Sequence, residues 1–316
     1  MARISFLQAH SGDCIHIEDN GHHVIIDSGV VCDELVDVVN DIKKSGKKID
    51  LLIITHYDTD HIKAICSILE KLDEDERKEL VSKVWFNATK VGYRDDKSLS
   101  AKDATRLASL LLKAGIEWTS CVKKGMTEVL GPNSVIEVID GGRIYTGEGK
   151  GKPLCNDKCD WESSFQELDE FVNDKALDTS ETNAQSMILV YRCGEKQILL
   201  PGDAVPKNLN YALEQYGSGM RIKFDLVKLP HHGSYKNMTQ EILNKIECSE
   251  YLISTDGSHF HPNKKLILKI KKWGHMNSKL TFHMNYYDDL FSKLNITEED
   301  MNDNNFSCDG QRTFGF

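Results

Sequence analysis

The spacing of apolar and polar positions changes period along this chain, and the period predicts its elements. Ile4-Ser-Phe-Leu7, Cys14-Ile-His-Ile17 and Val24-Ile-Ile26 are short β-branched or apolar runs. Ser-Gly-Asp and Asn20-Gly21 separate them, the latter a hairpin signal. From Asp33 to Ile42 the residues Leu35, Val36, Val38, Val39 and Ile42 form a helical stripe. Leu51-Leu-Ile-Ile54 is uninterrupted, the mark of a central strand buried on both faces. Helical patterns follow near 61–72, 74–83 and 101–114, with a strand at Val84-Trp-Phe86. Strands return at Met187–Tyr191, Gln197–Leu200, Leu226–Leu229 and Leu252–Ser254, and helices fit 205–216, 238–247, 263–272 and 286–294. The Gly-, Asp- and Lys-rich stretch 141–181 is weakly periodic and reads as an insertion or mobile loop within one domain spanning 1–316. Two strand-rich stretches around a helical middle predict an α/β fold, sheet packed on sheet with helices outside: a four-layer αββα sandwich.

Composition narrows the class. At 316 residues and 40% hydrophobic content the chain can bury a large core, which excludes wholesale disorder. No apolar run spans a bilayer, and the N-terminus lacks the basic and apolar regions of a secretory signal. Nine scattered cysteines fit a reducing compartment, so the expected location is cytoplasmic, with no membrane association. Cys155 and Cys159 form the one close pair, without the further ligands a zinc site needs. A net charge of −10 argues against coating nucleic acid by bulk charge, but not against a local basic groove.

The densest chemistry lies in Thr55-His-Tyr-Asp-Thr-Asp-His61, directly after the central strand, where α/β sheets place ligand sites. If the segment stays extended, His56, Asp58 and Asp60 point the same way, with His61 at the turn. Imidazoles and carboxylates together suit zinc, manganese or iron. The plainer alternative is a polar loop with Asp60 capping the next helix. Asp203 follows Gln197-Ile-Leu-Leu-Pro-Gly at a second strand end, and His231-His232 follow Leu226-Val-Lys-Leu at a third. An Asp after Gly is usually a turn residue, whereas paired histidines at a strand end suit metal or substrate.

The segment 56–61 resembles the HxHxDH signature of the metallo-β-lactamase fold superfamily, with Asp58 where the second His usually stands. This HxDxDH variant is similar to the hydrolase domain of ComEC/Rec2-type DNA-uptake proteins. Further segments resemble that branch in order: Gly12-Asp13, Ile26-Asp27-Ser-Gly29, Gly202-Asp203, Pro230-His-His-Gly-Ser234, and Ser254-Thr255 with His261-Pro262. The matches span 4–262. The resemblance implies two divalent metal ions, zinc or manganese. His56 and Asp58 would bind the first, Asp60 and His61 the second, and Asp203 both. One of His231 and His232 would complete the second site; His232 is preferred, though sequence does not separate them. The superfamily's further histidine before the Gly-Asp motif is missing. Asn183 and Ser186 stand there, resembling the branch's N-x-x-S, so the first site is oxygen-rich and suits manganese or a loosely held ion.

The implied chemistry is hydrolysis by a hydroxide held between the metals, most readily of a phosphodiester, with nucleic acid as substrate. Asp60 and His261 are the catalytic candidates, His261 as a general acid. Lys63, Ser234 and His259 are candidate substrate contacts, with surface roles as the plainer reading for Lys63 and His259. Asp13 and Asp27 are expected to support the loops and the ligands. The basic run Lys264, Lys265, Lys269, Lys271 and Lys272 could reach a nucleic-acid backbone, though a solvated helix face is the simpler reading. Two alternatives remain: hydrolysis of a small phosphoester, cyclic nucleotide, lactone or thioester, and a non-catalytic metal-binding sensor or partner subunit. A protein partner could dock on the 141–181 stretch.

Overall fold

The computed structural model describes residues 2–88, 99–143, 159–173, 175–276 and 278–316. The first half contains β1 (Arg3–Phe6), β2 (Ile15–Asp19), β3 (His22–Ile26), α1 (Asp33–Lys44), β4 (Leu51–Ile54), α2 (Thr59–Glu70), α3 (Glu74–Leu80), β5 (Lys83–Phe86), α4 (Leu99–Ala114), β6 (Glu117–Thr119), β7 (Thr127–Gly131) and β8 (Ser134–Asp140). The second contains α5 (Phe165–Asp169), β9 (Ile188–Cys193), β10 (Lys196–Leu200), α6 (Pro206–Tyr216), β11 (Ile222–Lys223), β12 (Leu226–Lys228), α7 (Gln240–Leu243), β13 (Ile246–Glu247), β14 (Glu250–Ile253), α8 (Lys264–Trp273), β15 (Leu280–Met284), α9 (Tyr287–Leu294), α10 (Glu298–Asp303), β16 (Phe306–Asp309) and β17 (Thr313–Gly315).

Two large sheets face each other. One has the order β17-β1-β2-β3-β4-β5-β6, the other β16-β15-β14-β12-β10-β9-β8-β7. The period of two sorts the side chains into layers. In β4, Leu51 and Ile53 point between the sheets, where they meet Met187, Leu189, Tyr191 and Leu200. Leu52 and Ile54 point outward against Leu35 and Val39 of α1, Ile62 and Ile65 of α2 and Leu107 and Leu111 of α4. The outer face of the second sheet packs on α5, α6, α7, α8 and α9. The αββα layering follows from this division of one apolar run into two faces.

The Asn20-Gly21 signal forms the predicted hairpin, with Asp19 paired to His22. Other elements differ from the pattern-based reading. The hairpin β7–β8 and the strands β6, β15, β16 and β17 were not evident, being short, edge-placed or half polar. Only four residues of the stretch 238–247 are helical, because Ile246–Glu247 pairs with β11 in a small parallel sheet. The helix after Asp73 stops at Leu80, since Val81 is extended and β5 starts at Lys83. Part of 141–181 is docked on the second sheet's helices: the Asp160 carboxylate accepts from the backbone N–H groups of Lys264 and Lys265 at the start of α8, at 3.0 and 2.9 Å. Residues 144–158, with Cys155 of the close cysteine pair, lie outside the described residues.

Strands β3 to β6 run parallel, as do β10, β12, β14, β15 and β16. The loops after β4, β10, β12 and β14 therefore leave the same end of the sandwich. Gly12 closes this end: a Cβ there would lie 1.7 Å from the Asp60 carbonyl oxygen, so no other residue lets the first loop approach α2 so closely.

Candidate metal centre

The chain stays extended only to Ile54. It bends through Thr55–Asp58, and Asp60 and His61 lie in the first turn of α2. The expectation of a continued strand is corrected: helix geometry, not strand alternation, brings Asp60 and His61 to the site. Asp60 does not cap the helix; Asp58 holds the N-cap position, with no side-chain cap bond.

Four side chains from three loops converge. His61 Nε2 lies 3.5 Å from Asp203 Oδ2, and His232 Nε2 lies 3.3 Å from the same oxygen and 3.5 Å from Asp60 Oδ2. His56 stacks beside His61 with ring centroids 4.1 Å apart, and its Nε2 is 3.5 Å from Asp58 Oδ2. Ligand atoms of His56, His61 and Asp203 all lie within 4.8 Å of one another, as do those of Asp60, His61 and His232.

The Nδ1 atoms orient these rings. His61 Nδ1 lies 2.8 Å from Asp27 Oδ2, His232 Nδ1 lies 3.0 Å from the Ser254 carbonyl, and His56 Nδ1 lies 3.2 Å from Thr55 Oγ1. Thr55 Oγ1 donates to Asp27, which leaves the hydroxyl oxygen to accept from His56. Each Nδ1 thus carries the proton and each Nε2 presents a lone pair. Among the described residues the three Nε2 atoms are buried without a hydrogen-bond partner, and so is Asp203 Oδ1. Buried polar atoms are normally paired. Three imidazole lone pairs and carboxylates aimed at one small volume fit a divalent cation.

The local field favours positive charge at this point, whether carried by the imidazoles or supplied by a cation. Burial disfavours charge on His61, but Asp203 and Asp27 outweigh it and hold the imidazole pKa well above its ordinary value. Asp203 and Asp13 overcome burial at His232 in the same way. Burial would raise Asp203 and Asp60, yet the facing histidines hold both carboxyls well below the usual range. Asp13, pressed upward by burial, is pulled down to about 2 by Lys228 and His232.

His231 and His232 both reach the centre. Adjacent residues on a strand point apart, but here both adopt left-handed backbone, with φ of 48° and 55°. His231 Nε2 comes within 3.9 Å of Asp203 Oδ2, while its Nδ1 faces Asp178 Oδ2 at 3.3 Å. His261 is buried, with its ring centroid 5.0 Å from that of His231. Ser186 Oγ accepts from the Asp203 backbone N–H at 3.2 Å. Asn183 Nδ2 donates to Asp178 at 2.8 Å and approaches His231 Nδ1 at 3.4 Å. Ser234 is buried in the turn after the histidines, where its N–H donates to the His231 carbonyl. Two candidates stand apart. His259 is exposed in the loop before His261. Lys63 acts on Asp103 of α4, partly offsetting the burial that raises that carboxyl.

Sequence reasoning missed Asp178, Asn237 and Lys228. Lys228 is fully buried, ion-paired with Asp13, 3.8 Å from Asp203 Oδ1 and bonded to the Gly202 carbonyl. Its signal was a cation inside the apolar run Leu226–Leu229. Asp178 and Asn237 carry no such signal. The basic run on α8 is largely engaged within the fold: Lys264 Nζ donates to the Trp161 and Ser163 carbonyls, Lys269 Nζ to those of Tyr235 and Met238, and Lys271 Nζ to Asn304.

Residues 7–106, which cover strands β2 to β5 and the His56–His61 loop, match the model of the Metallo-beta-lactamase superfamily. The four layers around the site are consistent with the metallo-β-lactamase fold. No curated protein matches the chain in sequence. Among solved structures it is similar to Igni18, a metallo hydrolase from Ignicoccus hospitalis, at 14% identity over 100% of this chain and 99% of that one, with a TM-score of 0.45. YhfI, a metallo-β-lactamase fold protein from Bacillus subtilis, aligns at 10% identity over 100% of both chains, with a TM-score of 0.48. Zinc-bound PqqB from Methylobacterium extorquens aligns at 10% identity over 99% of this chain and 100% of that one, also with a TM-score of 0.48. Among the described residues no helix is long and apolar enough to cross a membrane.

Proposed function

We propose that this protein is a metal-dependent hydrolase that cleaves phosphodiester bonds with two divalent ions, zinc or manganese. The observation that carries the reading is the convergence of three buried, hydrogen-bond-free Nε2 atoms on Asp203. His56, Asp58 and His231 would hold one ion, and Asp60, His61 and His232 the other. Asp203, whose Oδ2 faces His61, His231 and His232, would serve both. Such ions, when bound, lower the pKa of water to near neutral and offset charge on phosphoryl oxygens.

The chain's own residues do the rest. Asp27, Thr55 and the Ser254 carbonyl fix the imidazoles in one tautomer, so no reorganisation precedes the reaction. Asp60 is 27% exposed on its side chain, enough to accept a hydrogen bond from an incoming water and orient it. His261, beside His231, is positioned to protonate the leaving oxygen. Asn183, Ser186 and Ser234 hold the loops in register. The ordered motifs from Gly12-Asp13 to His261-Pro262 support the ComEC-like branch and hence nucleic acid as substrate.

A second reading is favoured by the lysines of α8. With Lys264 and Lys269 buried and bonded to backbone carbonyls, that helix offers a reduced cation surface to a long phosphate backbone. A small phosphodiester then fits better than a polymer. Manganese- or zinc-loaded protein should cleave DNA, RNA or bis(p-nitrophenyl) phosphate, and Asp60→Ala should abolish turnover. Turnover of the small diester alone selects the second reading. Stoichiometric metal without turnover of any phosphodiester overturns both.

A further inference from the structure

The ligand histidines His61, His232 and His56 each have an identified Nδ1 partner near the sheet ends. His231 draws its partner from farther away. The segment 175–186 crosses the site end before β9, and its Asp178 side chain is only 8% exposed. Asp178 Oδ2 receives Asn183 Nδ2 at 2.8 Å and Asn237 Nδ2 at 2.9 Å, and stands 3.3 Å from His231 Nδ1. Asp178 Oδ1 accepts from the Ser180 N–H at 2.8 Å. Asn237 Nδ2 is shared with the Ala204 carbonyl at 3.1 Å, which ties the carboxylate to the Asp203 loop.

This arrangement decides the tautomer. Two acceptors face His231 Nδ1, Asp178 Oδ2 and Asn237 Oδ1, both at 3.3 Å. The one donor nearby, Asn183 Nδ2, is longer from the ring at 3.4 Å than from the carboxylate at 2.8 Å. An ionised acceptor outcompetes a neutral one. The proton therefore sits on Nδ1, and Nε2 turns its lone pair toward Asp203.

We infer that Asp178 is a positioning residue that fixes His231 in the Nδ1–H tautomer and so completes the metal site that lacks the superfamily's usual histidine. The part of this inference that concerns metal rests on the two-ion reading above; the tautomer does not. The segment 175–186 is, in this view, a structural part of the centre, which accounts for a buried carboxylate surrounded by two asparagines in a stretch of little periodicity.

Two measurements on Asp178→Ala and Asp178→Asn test it. In metal-free protein at pH 9, long-range ¹H–¹⁵N spectra should show His231 as the Nδ1–H tautomer in the parent. Asp178→Ala should shift it to the Nε2–H form or a mixture, leaving His61 and His232 unchanged. In manganese titrations the variant should keep one site and weaken the other by about tenfold or more, the usual effect of losing a partner behind a metal-binding histidine. Asp178→Asn, which keeps the volume but faces three donors with one oxygen, should give a smaller change of the same kind. If Asp178→Ala does not fold, Asp178→Asn decides the question. Parent-like tautomer and affinity in the variants that fold overturn the inference. A parent protein that binds fewer than two ions, with the tautomer still dependent on Asp178, overturns the two-ion reading and leaves the positioning role standing.

Discussion

His61 Nδ1 lies 2.8 Å from Asp27 Oδ2, and the same carboxylate accepts from the Thr55 hydroxyl at 2.7 Å and the Thr55 N–H at 2.8 Å. One buried acid at the end of β3 thus orients the imidazole on α2 and the backbone that leads to His56. Replacing Asp27 with Asn puts an amide N–H against a donor or removes one acceptor. The expected result is a drop of about 10–100-fold in metal affinity, as for other carboxylates behind metal-binding histidines. Isothermal titration with zinc or manganese measures it; unchanged affinity would refute the orienting role.

Metal should stabilise the folded chain by mass action. At a free concentration of about one hundred times Kd, the gain is about 2.7 kcal/mol per site. Thermal unfolding of metal-stripped protein should therefore move upward by several degrees on adding manganese or zinc. The double variant His56→Ala/His61→Ala should lose that shift, since it removes two of the four imidazoles around Asp203. A full shift in the variant places the ions elsewhere.

Gly12→Ala tests the closure of the site end. Its methyl would sit 1.7 Å from the Asp60 carbonyl oxygen, and Ser254 Oγ bonds the Gly12 carbonyl from the other side. Relief requires α2 or the first loop to move. Overpacking of this kind costs about 1–3 kcal/mol, and here it should also displace Asp60 and lower turnover more than stability. Denaturant unfolding and phosphodiester kinetics, taken together, check the ratio.

His16 and His23 stack on the outer face of β2 and β3, with His16 Nε2 3.1 Å from His23 Nδ1. Burial, and then the neighbouring His23 and Arg3, lower the His16 pKa to about 4, with Glu18 opposing. An unfolded histidine titrates near pH 6.5, so the unfolded chain binds the extra proton between pH 6.5 and 4. The stability is complete above pH 6.5 and is lost as pH falls toward 4, by at most about 3 kcal/mol. His16→Gln should flatten this part of the stability profile. Parallel profiles for the two proteins between pH 7 and 4.5 would refute it.

The apolar period and the order of motifs determined the sandwich and singled out most of the side chains that converge around Asp203. Leu51–Ile54 reads as a two-faced strand in sequence and is one, and the clusters at 56–61, 203 and 231–232 follow strand ends that carry apolar runs. Local patterns succeed there because burial on both faces leaves no other conformation for such a run. Tertiary structure alone decided the rest. Both His231 and His232 face Asp203 because two left-handed residues turn the chain, which no period reveals. The lysines of α8 look like a basic face in sequence, yet several are satisfied by carbonyls from distant segments. Asp178 and Asn237 meet His231 across separations of 53 and 6 residues, the first bringing in a stretch without periodicity. Their chemistry depends on which groups lie within hydrogen-bond distance, and that is set by the packing of the two sheets, not by neighbours in the chain.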